Sequence, residues 1–413
     1  MRRTEVAVIG GGQAGLAISM WLSASGIDHI ILERGRVAER WRTARWDSLR
    51  LLTPNWMTRL PGHRYTGPDP DGFMTMAEVA AFFEAYAAKM DAPLMCGTEV
   101  RAVRQTGGGF QLSTSAEPIA ARAVVIATGE CGVPYIPPLA WMVPEHIAQV
   151  TPARYRSPAS IGPGDVLVVG ASASGIQIAD ELRRAGRRVT IAVGNHVRLP
   201  RRYRGQDIMW WLDRTGILDE TVDASRDIAA ARRQPSFQLV GSAEGRTLDL
   251  ARLAEAGVQL AGRFVGIDGN RAMMSDDLAD TIAEADARLV RLLDRIDGKM
   301  RVAGLDDRAD ARDPIDPIQV DRVPHSLDLR RFGTIVWATG YRRAYPWLRV
   351  PVFDRDAEII QSAGITAVPG LYTLGMRFQR SRKSSFIDGV GADAAALLQP
   401  MTHHLARQWR LSA

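Results

Sequence analysis

The sequence predicts an α/β chain of two doubly wound halves, and three observations carry that expectation. The apolar run Val6-Ala7-Val8-Ile9 enters a turn with Gly10, Gly12 and Gly15. A second run, Val166-Leu167-Val168-Val169, enters a turn with Gly170, Ser172 and Gly175. Each turn is answered much later by a strand ending in Ala-Thr-Gly: Ala127-Thr128-Gly129 after Val124-Val125-Ile126, and Ala338-Thr339-Gly340 after Ile335-Val336-Trp337. An internal repeat of this kind means two copies of one supersecondary plan. Each copy reads as a Rossmann-like dinucleotide-binding domain, with helices on both faces of a mostly parallel sheet in three layers.

In the first copy the turn lacks side chains where a pyrophosphate must approach the backbone, and the following helix aims amide groups and a positive dipole at it. Gly10, Gly12 and Gly15, with Gln13 and Ala14 between them, meet that need. The next strand, His29-Ile30-Ile31-Leu32, ends on Glu33 and Arg34. That places a carboxylate about 20 residues on, where a ribose hydroxyl is bound. Trp41, Arg42, Arg45, Trp46, Leu51, Thr53, Pro54, Asn55 and Trp56 mix aromatics, cations and amides without regular periodicity. Such a stretch reads as a loop wrapped around a planar cofactor, or as a core-lining loop with surface arginines. A hairpin is expected from Glu99–Val103 to Phe110–Thr114 across Gly107-Gly108-Gly109.

Proline-rich Val133–Pro138 and Ser157–Pro163 mark the crossing into the second copy. The expected division is 1–155 for the first part of one domain, 156–340 for the second domain, and 341–413 for the return to the first. The second nucleotide strand, Val189–Val193, ends on Gly194-Asn195-His196 with no carboxylate, and Arg198, Arg201, Arg202 and Arg204 follow. That ending suits a 2'-phosphate and so NADPH rather than NADH, with Arg198 and Arg202 as the favoured contacts. Ser172 and Ser174 still permit close backbone approach. Asp276–Asp297 carries apolar residues at helical spacing and reads as a core-facing helix. Asp207–Leu218, with Trp210 and Trp211, reads as a packed helix or an apolar lid. Near the C-terminus Gly370–Gly375 reads as a strand, and Ser384, Ser385 and Asp388 precede a helix whose N-terminus can stabilise negative charge on a cofactor ring.

Composition narrows the class. The 413 residues are 46% hydrophobic, enough for two or three packed domains. The net charge of +6 comes from arginines spread along the chain, which does not make the basic, aromatic-interleaved stripe of a nucleic-acid binder. Cys96 and Cys131 form neither a C-x-x-C pair nor a metal cluster, which excludes a local redox disulfide. Met1-Arg2-Arg3 leads straight into the first strand, and no apolar run reaches the roughly 18 residues of a membrane span. A soluble, cytoplasmic monomer or homodimer is expected.

On these residues the chain resembles a known family. Gly-Gly-Gly-Gln-Ala-Gly at 10–15 is paired with Gly-Ala-Ser-Ala-Ser-Gly at 170–175. Beside them stand Glu39-Arg40-Trp41, the stretch Arg45-Trp46-Asp47-Ser48-Leu49-Arg50-Leu51, and Ala338-Thr339-Gly340-Tyr341 followed by Trp347-Leu348. Together they resemble the class B flavoprotein monooxygenases over essentially the whole chain. The likeness is greatest to small bacterial flavin-containing monooxygenase-like oxidoreductases, and more distant to plant indole-3-pyruvate monooxygenases.

The resemblance implies FAD in the first domain, NADPH in the second, and O2 activation between them through a C4a-(hydro)peroxyflavin. A small organic substrate would be oxygenated at nitrogen or sulfur, or by Baeyer-Villiger insertion. It also implies that Asn55 lies at the flavin edge, although the order here is Thr-Pro-Asn. Met376 stands where related disulfide reductases carry aspartate, in keeping with the monooxygenase branch. The family's interdomain fingerprint survives only as Trp141, His146 and Tyr155 at altered spacing, so His146 reads as a structural linker residue. Two other functions share both nucleotide motifs: an NADPH-dependent flavoprotein reductase or oxidase without oxygen insertion, and a non-enzymatic redox sensor.

Overall fold

In the computed structural model, residues 1–225, 227–315, 317–318, 320 and 323–412 are described. Two sheets organise them. The larger has ten strands, and its central path runs Leu348–Arg349, Val100–Thr106, Gly109–Thr114, Ile119–Ile126, Arg2–Ile9, His29–Leu32 and Leu94–Met95. The strands after the first glycine turn run parallel: Val6 pairs His29 on one side and Ala123 on the other. Leu371–Thr373 joins the same sheet parallel to Ile119–Ile126. The second sheet has five strands in the order Ala148–Val150, Phe332–Trp337, Asp165–Val169, Val189–Ala192 and Gln259–Ala261, and all of them are parallel.

Both central strands are buried on both faces, which is why they read as continuous β-branched runs rather than as alternating ones. Val6, Ala7 and Val8 are fully buried, as are Val166, Leu167 and Val168. The cradle helices Gln13–Ala24 and Ala173–Arg184 pack on one layer of apolar residues that is continuous through both halves. The C-terminal helix, Ile387–Ser412, covers the first cradle helix.

Several expectations meet the structure at different points. The hairpin forms between Val100–Thr106 and Gly109–Thr114. The core-facing helix spans Leu278–Val302. Of the two readings of the Trp210 region the packed helix holds: Ile208–Arg214 is helical, Trp211 is fully buried, and its indole N–H donates to Tyr203 O at 2.7 Å. Ala148–Val150 falls within the span expected for the first domain, yet it pairs with Phe332–Trp337 and belongs to the second sheet. The crossing therefore comes earlier than 155, because a three-residue strand gives too weak a periodic signal to be assigned to a sheet from sequence.

Candidate functional site

Both glycine turns lie at the carboxyl ends of their sheets, where open α/β sheets bind ligands. Their backbones are near copies. A Cβ on Gly15 would stand 1.9 Å from Gly10 O, and one on Gly175 would stand 1.8 Å from Gly170 O. Gly10 and Gly170 adopt φ of +113° and +108°, and each packs against the carbonyl of the Ala-Thr-Gly strand, Ala127 or Ala338. Above the turns there is room instead. A Cβ at Gly12, Gly129 or Gly340 would meet no atom within 4 Å beyond its chain neighbours.

Around the first turn the predicted residues converge. Glu33 accepts from Gly11 N–H at 2.7 Å and from Gly35 N–H at 2.9 Å, so its carboxylate is fixed beside the turn. The carboxamide of Gln13 donates to Ser385 O at 2.7 Å, which ties the turn to the C-terminal segment. Gly375, at the end of the strand Leu371–Thr373, presses on Ala14: a Cβ there would lie 2.9 Å from the Ala14 methyl. Trp46 and Leu51 are buried, Thr53 is half-buried, and Leu51 N–H donates to Met74 O. Arg34 is exposed.

The second turn has a closer lid. Gln238, fully buried, donates from Nε2 to Ala171 O at 2.7 Å, and Gln177 donates to Leu239 O at 3.0 Å. The Oε1 atom of Gln238 is buried without a partner. Ser172 starts the helix without a side-chain capping bond, so its hydroxyl is not committed to the helix end.

Five of the expected contact residues have partners within the chain. Arg198 is buried between Asp249, at 3.0 Å, and Asp286, at 2.8 Å. A cation so placed holds the fold rather than a phosphate. Asn55, also buried, spends its amide on Asp69 O at 2.9 Å and its carbonyl on Met74 N–H at 2.8 Å, so it clamps its own loop. Asp388 lies in the first turn of the C-terminal helix but is ion-paired to Arg59 at 2.6 Å. Arg42 pairs with Glu84, and Trp41 packs on Phe83, so both serve the helix Met76–Lys89. Arg202, by contrast, is exposed, and among the described residues its guanidinium is bonded to Gly205 O.

The fingerprint residues scatter: Trp141 is 93% exposed, His146 is exposed, and Tyr155 is buried with its hydroxyl on Glu181 at 2.9 Å. Burial raises the Glu181 carboxyl, and it raises Asp393 to about 6. Glu181 and Asp180 line a cleft of about 220 Å³ with Trp46, Ser48 and Arg246, and none of its lining residues belongs to either glycine turn.

One of the segments that join the halves lies just before the C-terminal helix. Residues 380–383 run antiparallel to residues 218–222, with Val222 N–H on Arg380 O and Lys383 N–H on Leu218 O. Arg382 pairs with Glu220 at 3.0 Å and Lys383 with Asp219 at 2.7 Å.

Comparison with known proteins agrees with this arrangement. The pyridine nucleotide-disulphide oxidoreductase family matches residues 7–212. An uncharacterized CzcO-like oxidoreductase of Geobacillus kaustophilus is 33% identical over 405 residues, covering 97% of this chain and 99% of its own length. The chain belongs to the CzcO-like oxidoreductase family. Indole-3-pyruvate monooxygenase YUCCA1 of Oryza sativa subsp. japonica is 31% identical over 206 residues, 48% of this chain and 50% of that protein. The flavin-containing monooxygenase of Stenotrophomonas maltophilia has the same fold, with a TM-score of 0.68 at 19% identity, covering 98% of this chain and 99% of that one.

As a member of the CzcO-like family this chain is an oxidoreductase, and it shares its fold with a flavin-containing monooxygenase, so the groups to set against its residues are FAD and NADPH. The residues fit both groups. The open space over Gly12 and Gly129, beside a fixed Glu33, suits FAD. The space over Gly340 and the unpartnered Gln238 oxygen beside the second turn suit a nucleotide rich in N–H and O–H donors. Among the described residues no group of His, Cys, Asp and Glu could hold a metal, and no helix is long and apolar enough to cross a membrane.

Residues missed from sequence include Gln238, Glu130 and Arg377. Gln238 has no motif around it. Glu130 directly follows Gly129, which is the one signal that could have drawn attention to it.

Proposed function

We propose that this chain is an NADPH-dependent FAD monooxygenase that oxygenates a small organic substrate, at nitrogen or sulfur or beside a carbonyl. The supporting observation is the pairing of two open cradles through one seam, with the C-terminal segment bonded to the first turn by Gln13 and to the second half by Arg382 and Lys383. The chain has only two cysteines, both free, so it holds no dithiol to receive electrons from the flavin.

Each chain residue then has a limited task. Gly10, Gly12 and Gly15 receive the FAD pyrophosphate on backbone amides, and Glu33 accepts from its ribose. Gly170, Ser172, Ser174 and Gly175 do the same for NADPH, and Arg202 remains available to the 2'-phosphate. Ala127-Thr128-Gly129 and Ala338-Thr339-Gly340 back the two turns. Trp46, Leu51 and Met57, all buried, keep water from the junction. The cofactor supplies the reaction with oxygen, and the protein supplies orientation and dryness.

The test is direct. Purified protein should be yellow, and NADPH oxidation should consume O2 and yield a product one oxygen atom heavier than its substrate. Stoichiometric hydrogen peroxide with no oxygenated product, across a substrate panel, would instead make it an oxidase or reductase.

A further inference from the structure

We infer that the seam between the halves carries a receptor for an organic anion, built from Arg232 and Arg377, so that the substrate bears a carboxylate. This rests on the monooxygenase reading for what is done to the ligand, and on the two arginines for what the ligand is.

The two side chains are exchanged across the seam. Arg232 of the second half donates to Phe378 O at 3.3 Å, and Arg377 of the C-terminal segment donates to Gln234 O at 2.6 Å. Most of the N–H donors of each guanidinium remain after that single bond. Among the described residues neither has a carboxylate within ion-pairing distance, whereas Arg59, Arg343, Arg382 and Lys383 around them all do. The nearby acids are engaged elsewhere. Glu130 accepts from Arg343 and from the backbone N–H of Arg377, Glu358 accepts from Arg343, and Asp393 faces Arg380 at 3.9 Å. Burial first, and then the neighbouring charge of Arg343, disfavour the Arg232 cation, and the charge of Glu130 offsets only part of this. Half-buried guanidinium groups whose nearest carboxylate is bonded to another arginine are costly to keep unless a ligand supplies a further negative charge.

Their position fits a substrate. Phe378 holds φ of +45°, a left-handed conformation rare for a bulky residue, and its ring lies 5.3 Å from the Arg382 guanidinium. The turn is over-determined: Gln379 bonds Met376 N–H and Thr373 O, and Arg232 holds the Phe378 carbonyl. Strain maintained in this way marks sites where geometry matters. The turn follows Gly375, which touches Ala14 of the first cradle, and it contacts Glu130, next to Gly129. It thus stands at the carboxyl edge of the first sheet and faces the second half. A planar guanidinium fork matches a carboxylate in two bonds.

The experiment uses the FAD-loaded protein and calorimetric titration with benzoate and phenylacetate against benzamide and phenylacetamide. The acids should bind and the amides at least tenfold more weakly. Arg232→Gln and Arg377→Gln should each weaken acid binding by roughly tenfold to a hundredfold. They should leave amide binding, FAD content and NADP+ affinity unchanged, and Arg232→Lys and Arg377→Lys should keep the preference for acids. Equal binding of acids and amides, no binding of either acid, or equal weakening of both in the variants would overturn the inference. So would a loss confined to NADP+, which would assign the arginines to a cofactor phosphate. Should the glutamine variants fail to fold, the lysine variants and the salt dependence of wild-type acid binding decide, and acid affinity indifferent to salt counts against the site. Product analysis separates this from the wider reading: peroxide without oxygenated product overturns the monooxygenase and leaves the anion site standing.

Discussion

The two cradles share a backbone and differ in what borders it. Gly15 over Gly10 and Gly175 over Gly170 approach within a tenth of an ångström of the same spacing. The strand beside the first cradle ends in a carboxylate bonded to two backbone amides. The corresponding strand of the second ends at Gly194 and Asn195, and the nearest arginine in sequence, Arg198, is already paired with acids. Backbone geometry decides that a dinucleotide can be held, and the strand end decides which one. The second turn therefore has no fixed carboxylate beside it.

That contrast can be broken at the turns first. Gly15→Ala and Gly175→Ala each force a methyl into a carbonyl oxygen, at a cost of about 3 kcal/mol or more if the helix shifts to make room. The first should give colourless protein. The second should give yellow protein that NADPH no longer reduces, and visible absorbance before and after NADPH addition checks both.

Arg198→Met comes next. Removing the cation leaves Asp249 and Asp286 facing each other in a buried place, and about 3–5 kcal/mol of stability should be lost. Thermal melting should report it, while the preference for NADPH over NADH in the folded fraction should not change. An altered preference would return Arg198 to the coenzyme.

A pH titration sharpens the comparison between buried acids. Asp180 in the second half is paired with Arg246 and Arg184. Asp393 in the first has one oxygen buried without a partner, and desolvation raises it to about 6. The folded state then binds this proton more tightly than the unfolded chain, so the stabilisation is present at low pH and is lost as pH rises through about 6. Asp393→Asn should leave stability unchanged near pH 4 and raise it by at most about 3 kcal/mol at pH 8. Denaturant midpoints across that range provide the check, and a variant less stable at pH 8 would mean that Asp393 makes a favourable contact as an anion.

The smallest effects separate the nucleotides. Glu33→Gln should weaken FAD binding about tenfold and leave NADPH alone. Arg202→Ala should do the reverse, lowering the NADPH-to-NADH preference by up to about tenfold. Equilibrium titrations of each variant with both nucleotides would reveal any crossover.

Much of this molecule was legible from order along the chain. Each cradle is a local event: a β-branched run, three small residues at fixed spacing and a helix fix the backbone within about a dozen residues, because only glycine tolerates both the positive φ and the close carbonyl. Glu33 was legible for the same reason, since one strand and one helix separate it from the turn. The hairpin and the long helix Leu278–Val302 followed from periodicity. What lay beyond the sequence was the partner of each charge. Arg198 meets acids 51 and 88 positions away, and Arg59 meets Asp388 across 329. Asn55 bonds within its own loop, and Arg232 and Arg377 each reach a backbone carbonyl of the other's segment. A side chain's charge is written in the chain, but whether that charge is spent or available depends on what folding brings within a few ångströms of it, and only the tertiary structure decides that.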